Sequence, residues 1–491
     1  MANVLLKDVP LVKELKGTDK FPISNGSNGA LTGNIQQIFQ YIESQGIKAG
    51  IEEAPINGKQ YLRTDGTWEE LKFTGYEDIL SYGVQWNHVT ESDPHVTRIG
   101  NPIFHKTLPI QSMYRGCVAE GKNIKYYLDS KDWSKKEDGT PSKLDGTDGS
   151  VYVHIPKFYG KSGIDGNIKW VRISLVKIDD TWIEIPEMLV SAYRVTVSNN
   201  KTYSVVNTTP EFRGGGNRTD YDQYLETNPT KSDLGKPRTA KTRAAMRTYA
   251  RNSNEELLCY DYYKWIFYWN YVIEYANFNP QDTYKAELTP EGYHQGGLGL
   301  GVTTWGWSEW TTFNGNYPTV PCGYCNDLGN NTGIKELTYT LDGASTKIVS
   351  VPRWRGFDNP FGDIYTILEG IVLKREAANE DSKVYTTSNP SNYDDSLTNK
   401  TLAGIEIAKD GYIKTFDLGN TGEIIPSSVG ASYNTHKCDY HYCNVEYTGT
   451  RGLWVGGSAP YGGSAGLVCF ASSYSVGSAN AYAGFLTTIV L

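Results

Sequence analysis

The stretch from residue 257 to residue 278, LLCYDYYKWIFYWNYVIEYANF, constrains this chain more than any other part of it. As a helix it would be apolar on nearly every side, and a helix without a polar face is buried inside a large domain. It is too often interrupted to span a bilayer, since it contains Asp261, Lys264, Asn270 and Glu274. Residues 238–252, rich in helix formers, predict a second helix after Pro237.

Composition narrows the class of protein. The 491 residues exceed one average domain, so we expect a large domain with smaller units. The 36 Tyr, 12 Trp and 51 Gly are typical of a loop-rich fold with aromatic packing. The net charge of −8, without a basic run, argues against nucleic-acid binding and is explained by solubility alone. Without a long apolar run or a signal peptide, we expect no membrane insertion and folding in the cytoplasm.

The cysteines predict free thiols. Seven is an odd number, and without a signal sequence we expect the thiols to be unpaired and mostly buried. A zinc site formed by Cys322, Cys325, Cys438 and His441 is the alternative. The irregular spacing of these residues disfavours it, so we predict no metal site and no cofactor.

Residues 1–55 form a separate small unit of short extended pieces and one amphipathic helix at about 34–45. The apolar stripe of this helix follows the i, i+3, i+4, i+7 pattern through Ile35, Ile38, Phe39 and Ile42. So short a helix is marginal alone, so its stripe packs on the unit's own strands, on a copy of itself or on a partner. Because about 50 residues make a poor isolated core, we favour contact within an oligomer.

Three further units follow in the chain. Residues 56–79 predict a β-hairpin module, with strands near 60–63 and 67–71 around a turn at Asp65-Gly66. Residues 80–149 predict an extended connecting β region. Residues 150–491 predict the main domain, which begins with the strand VYVHI and a break at Pro156.

The C-terminal end, residues 451–491, predicts a recognition face. Small residues alternate there with isolated aromatic ones. Tyr and Ser on such a backbone give flat contact area and adaptable hydrogen bonding at low entropic cost. The end contains no arrangement of acid, base and nucleophile, so we do not expect an enzyme. Elsewhere, Trp305, Trp307 and Trp310 are candidates for stacking on sugar rings, with structural packing as the alternative.

Short motifs resemble bacteriophage proteins. The hairpin pattern GKQY-R-DG-W-E resembles a module of fibre and baseplate proteins of tailed phages. The segment LKGTDKFPISNG, followed by an amphipathic helix, resembles the N-terminal attachment segment of fibre proteins of Bacteroides-type (crAss-like) phages. The pattern V-V-IPKFY-K is also similar to phage receptor-binding proteins.

From about residue 150 onward, the order of landmarks resembles a second group of proteins. These landmarks are the strand pair at 151–197, the aromatic helix, RGFDNPFGDIYTILEGI, and the end LWVGGSA…AGLVC…AGFLTTIVL. They resemble C-type-lectin-fold proteins related to the sulfatase-modifying (formylglycine-generating) group, which include variable proteins of diversity-generating retroelements. Cys438, Cys443 and Cys469 do not match the cysteine pair of the enzymatic branch, so copper-dependent oxidation is not expected.

The resemblance implies an α+β chain: a small N-terminal anchor of strands, one helix and a β-hairpin, then a large loop-rich C-type-lectin-like (sulfatase-modifying-factor-like) domain. It also implies that ligand-facing side chains lie in the C-terminal loops: Trp454, Ser458, Tyr461, Ser464, Ser473, Tyr474, Ser478, Asn480 and Tyr482.

The sequence thus predicts a head or tail fibre protein of a phage virion. Residues 1–55 would anchor it to other virion proteins and to two copies of itself, as a homotrimer. The C-terminal domain would attach to a glycan or protein on the host cell surface. One alternative is a structural or decorative virion protein without a ligand. A further alternative is a glycan-acting enzyme that uses carboxylates such as Asp358, Asp363 and Glu369.

Overall fold

The computed structural model describes residues 61–64, 67–70, 75–206, 212–313, 317–340 and 346–491. It is mostly β-sheet, with 35% strand and 15% helix, which agrees with the α+β class. The predicted helix near 34–45, with Ile35, Ile38, Phe39 and Ile42, lies outside the described residues.

A buried helix lies at the centre of the fold. Three consecutive segments continue one another, the middle one being π-helical, and together they are called the central helix: Tyr260–Tyr263, Lys264–Trp269 and Asn270–Tyr275. Residues 263–278 are all buried, so the prediction of a buried aromatic helix is confirmed. The helix begins at Tyr260, later than the start of the apolar run in the sequence, because Leu257 lies in a short strand instead.

Four shorter helices surround it: α1 (Glu77–Leu80), α2 (Pro102–Thr107), α3 (Arg243–Asn252) and α4 (Trp307–Thr312). The second predicted helix is α3, and it begins six residues beyond Pro237. Its start is set by Thr242, whose side chain accepts a hydrogen bond from the backbone N–H of Ala245 at 3.2 Å.

Two antiparallel sheets are formed mainly by strands from the first half of the chain. The six-stranded sheet has the order β14 (Glu256–Leu257), β29 (Thr487–Val490), β11 (Met188–Ser191), β7 (Ser150–Ile155), β5 (Arg115–Glu120), β6 (Asn123–Tyr127). The five-stranded sheet has the order β10 (Ile183–Ile185), β8 (Phe158–Asp165), β9 (Ile168–Ser174), β3 (Ser81–Asn87), β4 (Thr97–Gly100).

These two sheets correct the predicted division at residue 149. Strand β3 pairs with β9 over seven residues, and β5 pairs with β7 over five. The region 80–149 is therefore not a connector to the domain at 150–491. It supplies strands to the same sheets, because its alternating apolar residues need the partner strands that follow residue 150.

The second half of the chain forms a seven-stranded and a four-stranded sheet. The seven-stranded sheet has the order β23 (Ile425–Val429), β22 (Gly411–Asp417), β24 (Tyr440–Tyr442), β27 (Gly466–Ala471), β26 (Trp454–Gly456), β18 (Tyr365–Ile367), β28 (Ala483–Gly484). It is mixed, because β24 is parallel to β27 and β18 is parallel to β28. The four-stranded sheet has the order β21 (Thr401–Glu406), β20 (Ser382–Thr386), β19 (Ile371–Arg375), β25 (Gly449–Arg451).

Three small sheets complete the described structure. They are β15 (Gly333–Thr340), β16 (Thr346–Trp354) and β17 (Phe357–Asp358); the pair β12 (Thr196–Ser198) and β13 (Lys201–Tyr203); and the pair β1 (Tyr61–Thr64) and β2 (Thr67–Glu70). The last pair is antiparallel and ends on Thr64 opposite Thr67, so the predicted hairpin is confirmed.

The core joins the central helix to the large sheets. Val84 of β3, Val153 of β7 and Val468 of β27 belong to the same apolar cluster as the helix. Each large side chain that is fully buried in this way stabilises the fold by about 1.5 to 3 kcal/mol.

Several polar tips of the helix have hydrogen-bond partners outside it. Tyr260 donates a hydrogen bond to the carbonyl of Ile424 at 2.9 Å, and Tyr263 donates to the carbonyl of Leu467 at 2.5 Å. Such partners are necessary, because an unmatched polar group in a core costs about 1 to 3 kcal/mol.

Glu274 forms the most heavily bonded charge on the helix. Its carboxylate accepts hydrogen bonds from Arg355 at 2.7 and 3.1 Å and from the indole of Trp354 at 3.1 Å. Burial alone would raise the pKa of Glu274, but the nearby Arg355 outweighs it, and this pKa lies below its usual value.

We expect Glu274→Ala to lower the free energy of unfolding by about 3 to 5 kcal/mol, because it leaves Arg355 without its buried partner. Chemical denaturation measures this. Glu380→Ala, at an exposed position, is the control and should change stability by less than about 0.5 kcal/mol. Equal midpoints for the two variants would contradict the assigned role of Glu274.

Candidate functional site

The three predicted ligand-binding tyrosines come together beside strand β18 of the seven-stranded sheet. The rings of Tyr461, Tyr474 and Tyr482 lie 5.7, 6.1 and 6.5 Å from the ring of Tyr365 in β18. Tyr365 is buried and the other three are half-buried. The three tyrosines therefore form one surface above a buried aromatic floor.

Two other predicted residues lie beneath this surface. The ring of Trp454 stacks on Tyr474 with centroids 3.8 Å apart and planes inclined by 12°, and its side chain is 1% exposed. Ser458 is fully buried. Direct ligand contact by Trp454 and Ser458 is thus corrected to a supporting role, because strand β26 and the turn after it point these side chains inward.

The remaining predicted residues are half-buried polar groups. Ser464 Oγ lies 3.2 Å from the hydroxyl of Tyr412, and Asn480 donates to the hydroxyl of Tyr482 at 2.9 Å. Ser478 Oγ lies 3.1 Å from Ser475 Oγ. The carbonyl of Ser473 accepts a hydrogen bond from Arg451 at 2.7 Å. Ser464 and Asn480 thus directly join the tyrosine surface.

Trp307 is a surface residue of the site that the ligand-binding prediction omitted. It begins α4, is 47% exposed, and its ring lies 6.0 Å from Tyr461 and 5.9 Å from Tyr482. Trp305 and Trp310 are buried in the core beside it. Sequence spacing did not distinguish the three tryptophans, because only the tertiary contact with the C-terminal loops selects Trp307.

Further tyrosines extend the surface on both sides. Successive ring centroids are 4.9, 4.3, 5.2, 6.0, 5.9 and 5.9 Å apart along a continuous series, here called the aromatic belt: Tyr412, Tyr440, Tyr442, Tyr461, Trp307, Tyr482 and Tyr317. All seven are exposed or half-buried. The belt draws on four separate parts of the chain, so the sequence alone gave no signal for it.

Three hydroxyl groups of the site are held in their protonated form by burial. Burial raises the pKa of Tyr442, Tyr461 and Tyr474 above the ordinary value of tyrosine. Each hydroxyl can therefore donate as well as accept a hydrogen bond.

A buried carboxyl supports the site from below. Asp439 precedes β24 and accepts a hydrogen bond from the backbone N–H of Val468 at 2.7 Å. A Cβ atom at Gly466 would lie 1.6 Å from Asp439 Oδ1, so only glycine fits there. Burial raises the pKa of Asp439 to about 8, which keeps the group neutral beneath the strands that carry the tyrosines.

The cysteines are free and buried, as predicted. Cys322 and Cys325 each contact a backbone carbonyl at 3.7 Å, those of Arg194 and Val351. Both ring nitrogens of His441 are occupied, by Glu406 at 2.8 Å and by the carbonyl of Lys409 at 2.9 Å. Across the described ranges, no three His, Cys, Asp or Glu side chains are grouped to hold a metal ion. Cys322, Cys325 and His441 of the zinc alternative therefore have other partners.

Comparison of the chain with protein-family models and with curated proteins gave no match in either case. In the part of the chain that the structure describes, no helix combines the length and the apolar character needed to cross a membrane.

We expect stability to depend on the proton of Asp439. The unfolded carboxyl loses it near pH 4, and the folded one near pH 8. Folding therefore binds a proton between these values, so this contribution to stability is complete below about pH 4 and is lost as pH rises to about 8.

Asp439→Asn should remove this dependence. Its stability relative to the unmodified chain should grow with pH up to about 8, by at most about 1.4 kcal/mol per pH unit, and then level off. Denaturation at several pH values measures it, with Asp327→Asn, an exposed position, as the control. Parallel profiles for Asp439→Asn and the unmodified chain would exclude this titration.

Proposed function

We propose that the chain is a fibre protein of a bacteriophage virion, on the head or the tail, which presents a lectin-like domain to a glycan or protein on the host cell surface. The single observation that carries the proposal is the half-buried cluster of Tyr461, Tyr474 and Tyr482 beside the exposed Trp307. Aromatic side chains supply a large contact area and have few rotatable bonds. Ordering them on binding therefore costs the protein little free energy.

The platform beneath the cluster favours recognition. Tyr474 stacks on Trp454, and Tyr461 and Tyr482 pack around Tyr365. A surface held in one conformation before binding avoids the entropic cost of ordering loops.

The C-type-lectin-like fold is the finer part of the proposal. In its support, the last strand β29 pairs with β11 and β14 inside the six-stranded sheet, and the loops between β26 and β29 carry the tyrosines. The placement of the loops agrees with the resemblance of the C-terminal landmarks.

The virion role depends on the N-terminal resemblance to phage fibre proteins. Residues 1–60 lie outside the described ranges, and the hairpin that follows has the predicted strand pairing. We propose that this end assembles three copies of the chain and attaches them to other virion proteins.

Two carboxylates of the enzyme alternative are bound in ion pairs, and the third accepts a backbone hydrogen bond. Asp358 pairs with Arg353, Glu369 pairs with Arg247 at 2.7 Å, and Asp363 accepts from the backbone N–H of Val320 at 3.3 Å. Asp363 and Glu369 are buried, and Asp358 is half-buried. A glycosidase needs two carboxylates that face one groove, so this arrangement favours a binding protein.

We expect the double variant Tyr461→Ala, Tyr482→Ala to lower adsorption to Bacteroides-type host cells at least about tenfold, because it removes two central contacts. Labelled full-length protein and flow cytometry measure this. Point variants are needed because removal of the C-terminal loops would also remove β29 from its sheet. The control is Tyr385→Ala, a half-buried tyrosine in β20. Equal adsorption of all forms would favour a structural protein without a ligand.

We expect the full chain to be a trimer in solution and Ile38→Glu, Phe39→Glu to dissociate it, because two charges would then lie on the predicted contact stripe. Light scattering coupled to size-exclusion chromatography gives the mass. Gln37→Glu, on the predicted polar face, should leave the trimer intact. A monomeric unmodified chain would contradict the proposed anchor.

A further inference from the structure

We infer that the ligand is an uncharged glycan strand of several sugar residues, lying along the aromatic belt and stacking on Trp307. This inference depends on the proposed function, and it names the class of ligand for the same surface.

The first argument concerns the ring faces. Elsewhere in the protein, some tyrosine rings near the surface are covered by cations: Arg115 lies 3.8 Å from the ring centroid of Tyr127, and Lys231 lies 3.8 Å from that of Tyr224. Within the described ranges, no Lys or Arg lies over any of the seven belt rings. The belt therefore leaves its aromatic faces to another partner.

The second argument concerns Trp307 itself. Trp307 has the most exposed ring of the belt. The plane of this ring is inclined by 77° to that of Tyr461 and by 71° to that of Tyr482. An indole that is 47% exposed offers a large part of its surface to a ligand beside these two rings. The CH face of a sugar ring matches such a surface, and aromatic residues at the centre of an interface contribute most of its affinity.

The third argument concerns polar groups. A sugar has hydroxyls around its rim, and it needs donors and acceptors beside the stacking face. Tyrosine hydroxyls supply these along the belt, together with Ser464 near Tyr412 and Asn480 at Tyr482. Each of these groups can donate and accept, which suits sugar hydroxyls.

The fourth argument concerns charge and length. The belt and its two polar neighbours contain no Lys, Arg, Asp or Glu, so nothing in them would compensate the carboxylate of an acidic sugar, and burying an unpaired charge is costly. Seven rings at spacings of 4.3 to 6.0 Å exceed the reach of one sugar. The favoured occupant is therefore a neutral chain.

The experiment uses full-length protein and host-type cells that are untreated, oxidised with periodate or digested with protease. Neutral and acidic polysaccharide fractions from the same cells serve as competitors. We expect periodate to abolish binding, protease to leave it unchanged, and only the neutral fraction to compete. Trp307→Ala should weaken binding to the neutral fraction at least tenfold. Trp307→Tyr, which keeps a stacking face, should restore most of it and controls for folding.

The outcomes separate this inference from the proposed function. Binding that survives periodate but is lost with protease and with Tyr461→Ala, Tyr482→Ala would keep the receptor-binding function and overturn the glycan. Competition by the acidic fraction would contradict the inference that the glycan is uncharged. Competition by single sugars as strong as that by the polymer would contradict the inference that the ligand is a strand of several sugars. Absence of binding to untreated cells would overturn both proposals.

Discussion

The fold depends on burying one aromatic helix while giving most of its polar side chains partners. Among the described residues, Trp265 Nε1, Tyr268 OH and Asn270 Oδ1 are the buried side-chain atoms of this helix left without a hydrogen bond. The central helix has tyrosine hydroxyls, indole N–H groups and two charges among its buried side chains, and each unmatched group would reduce the gain from apolar burial. Lys264 is fully buried, yet it contacts Asp261 at 2.7 Å and Glu423 at 2.8 Å. The surrounding sheets therefore have to present carbonyls and carboxylates at fixed places, and this requirement determines how the sheets are arranged around the helix.

The same requirement connects the core to the candidate site. Tyr263 of the central helix donates to the carbonyl of Leu467 in β27. Strand β27 pairs with β26, which contains Trp454, and Trp454 stacks on Tyr474 at the surface. A chain of direct contacts thus leads from the buried helix to the rings that we propose contact the ligand. The rigidity that we assign to the surface follows from this attachment, because packed interiors leave side chains few alternative positions.

Local patterns in the sequence predicted local structure well. The buried helix, the hairpin with Thr64 opposite Thr67 and the strand ending at Pro156 all depend on residues near one another in the chain. The joining of β3 to β9 and of β5 to β7 depends on distant partners, which no local pattern encodes, and so the boundary at 149 was misplaced. The same limit applies to the site: Tyr461, Tyr474 and Tyr482 lie in one marked segment, whereas Trp307 and Tyr442 reach it only through tertiary packing.

The surface tyrosines compared above have two kinds of surroundings, and the difference bears on function. Where a tyrosine has only a structural role, a lysine or arginine can cover its ring and keep water from the apolar face, as Arg115 does at Tyr127. Along the belt the rings contact one another instead, and their outer faces have no such cover. An aromatic surface without cover is a liability for a protein unless a partner uses it. Because Tyr461 and Tyr482 also pack on the buried Tyr365, and Tyr474 on Trp454, the exposure of the belt supports the binding role that we propose.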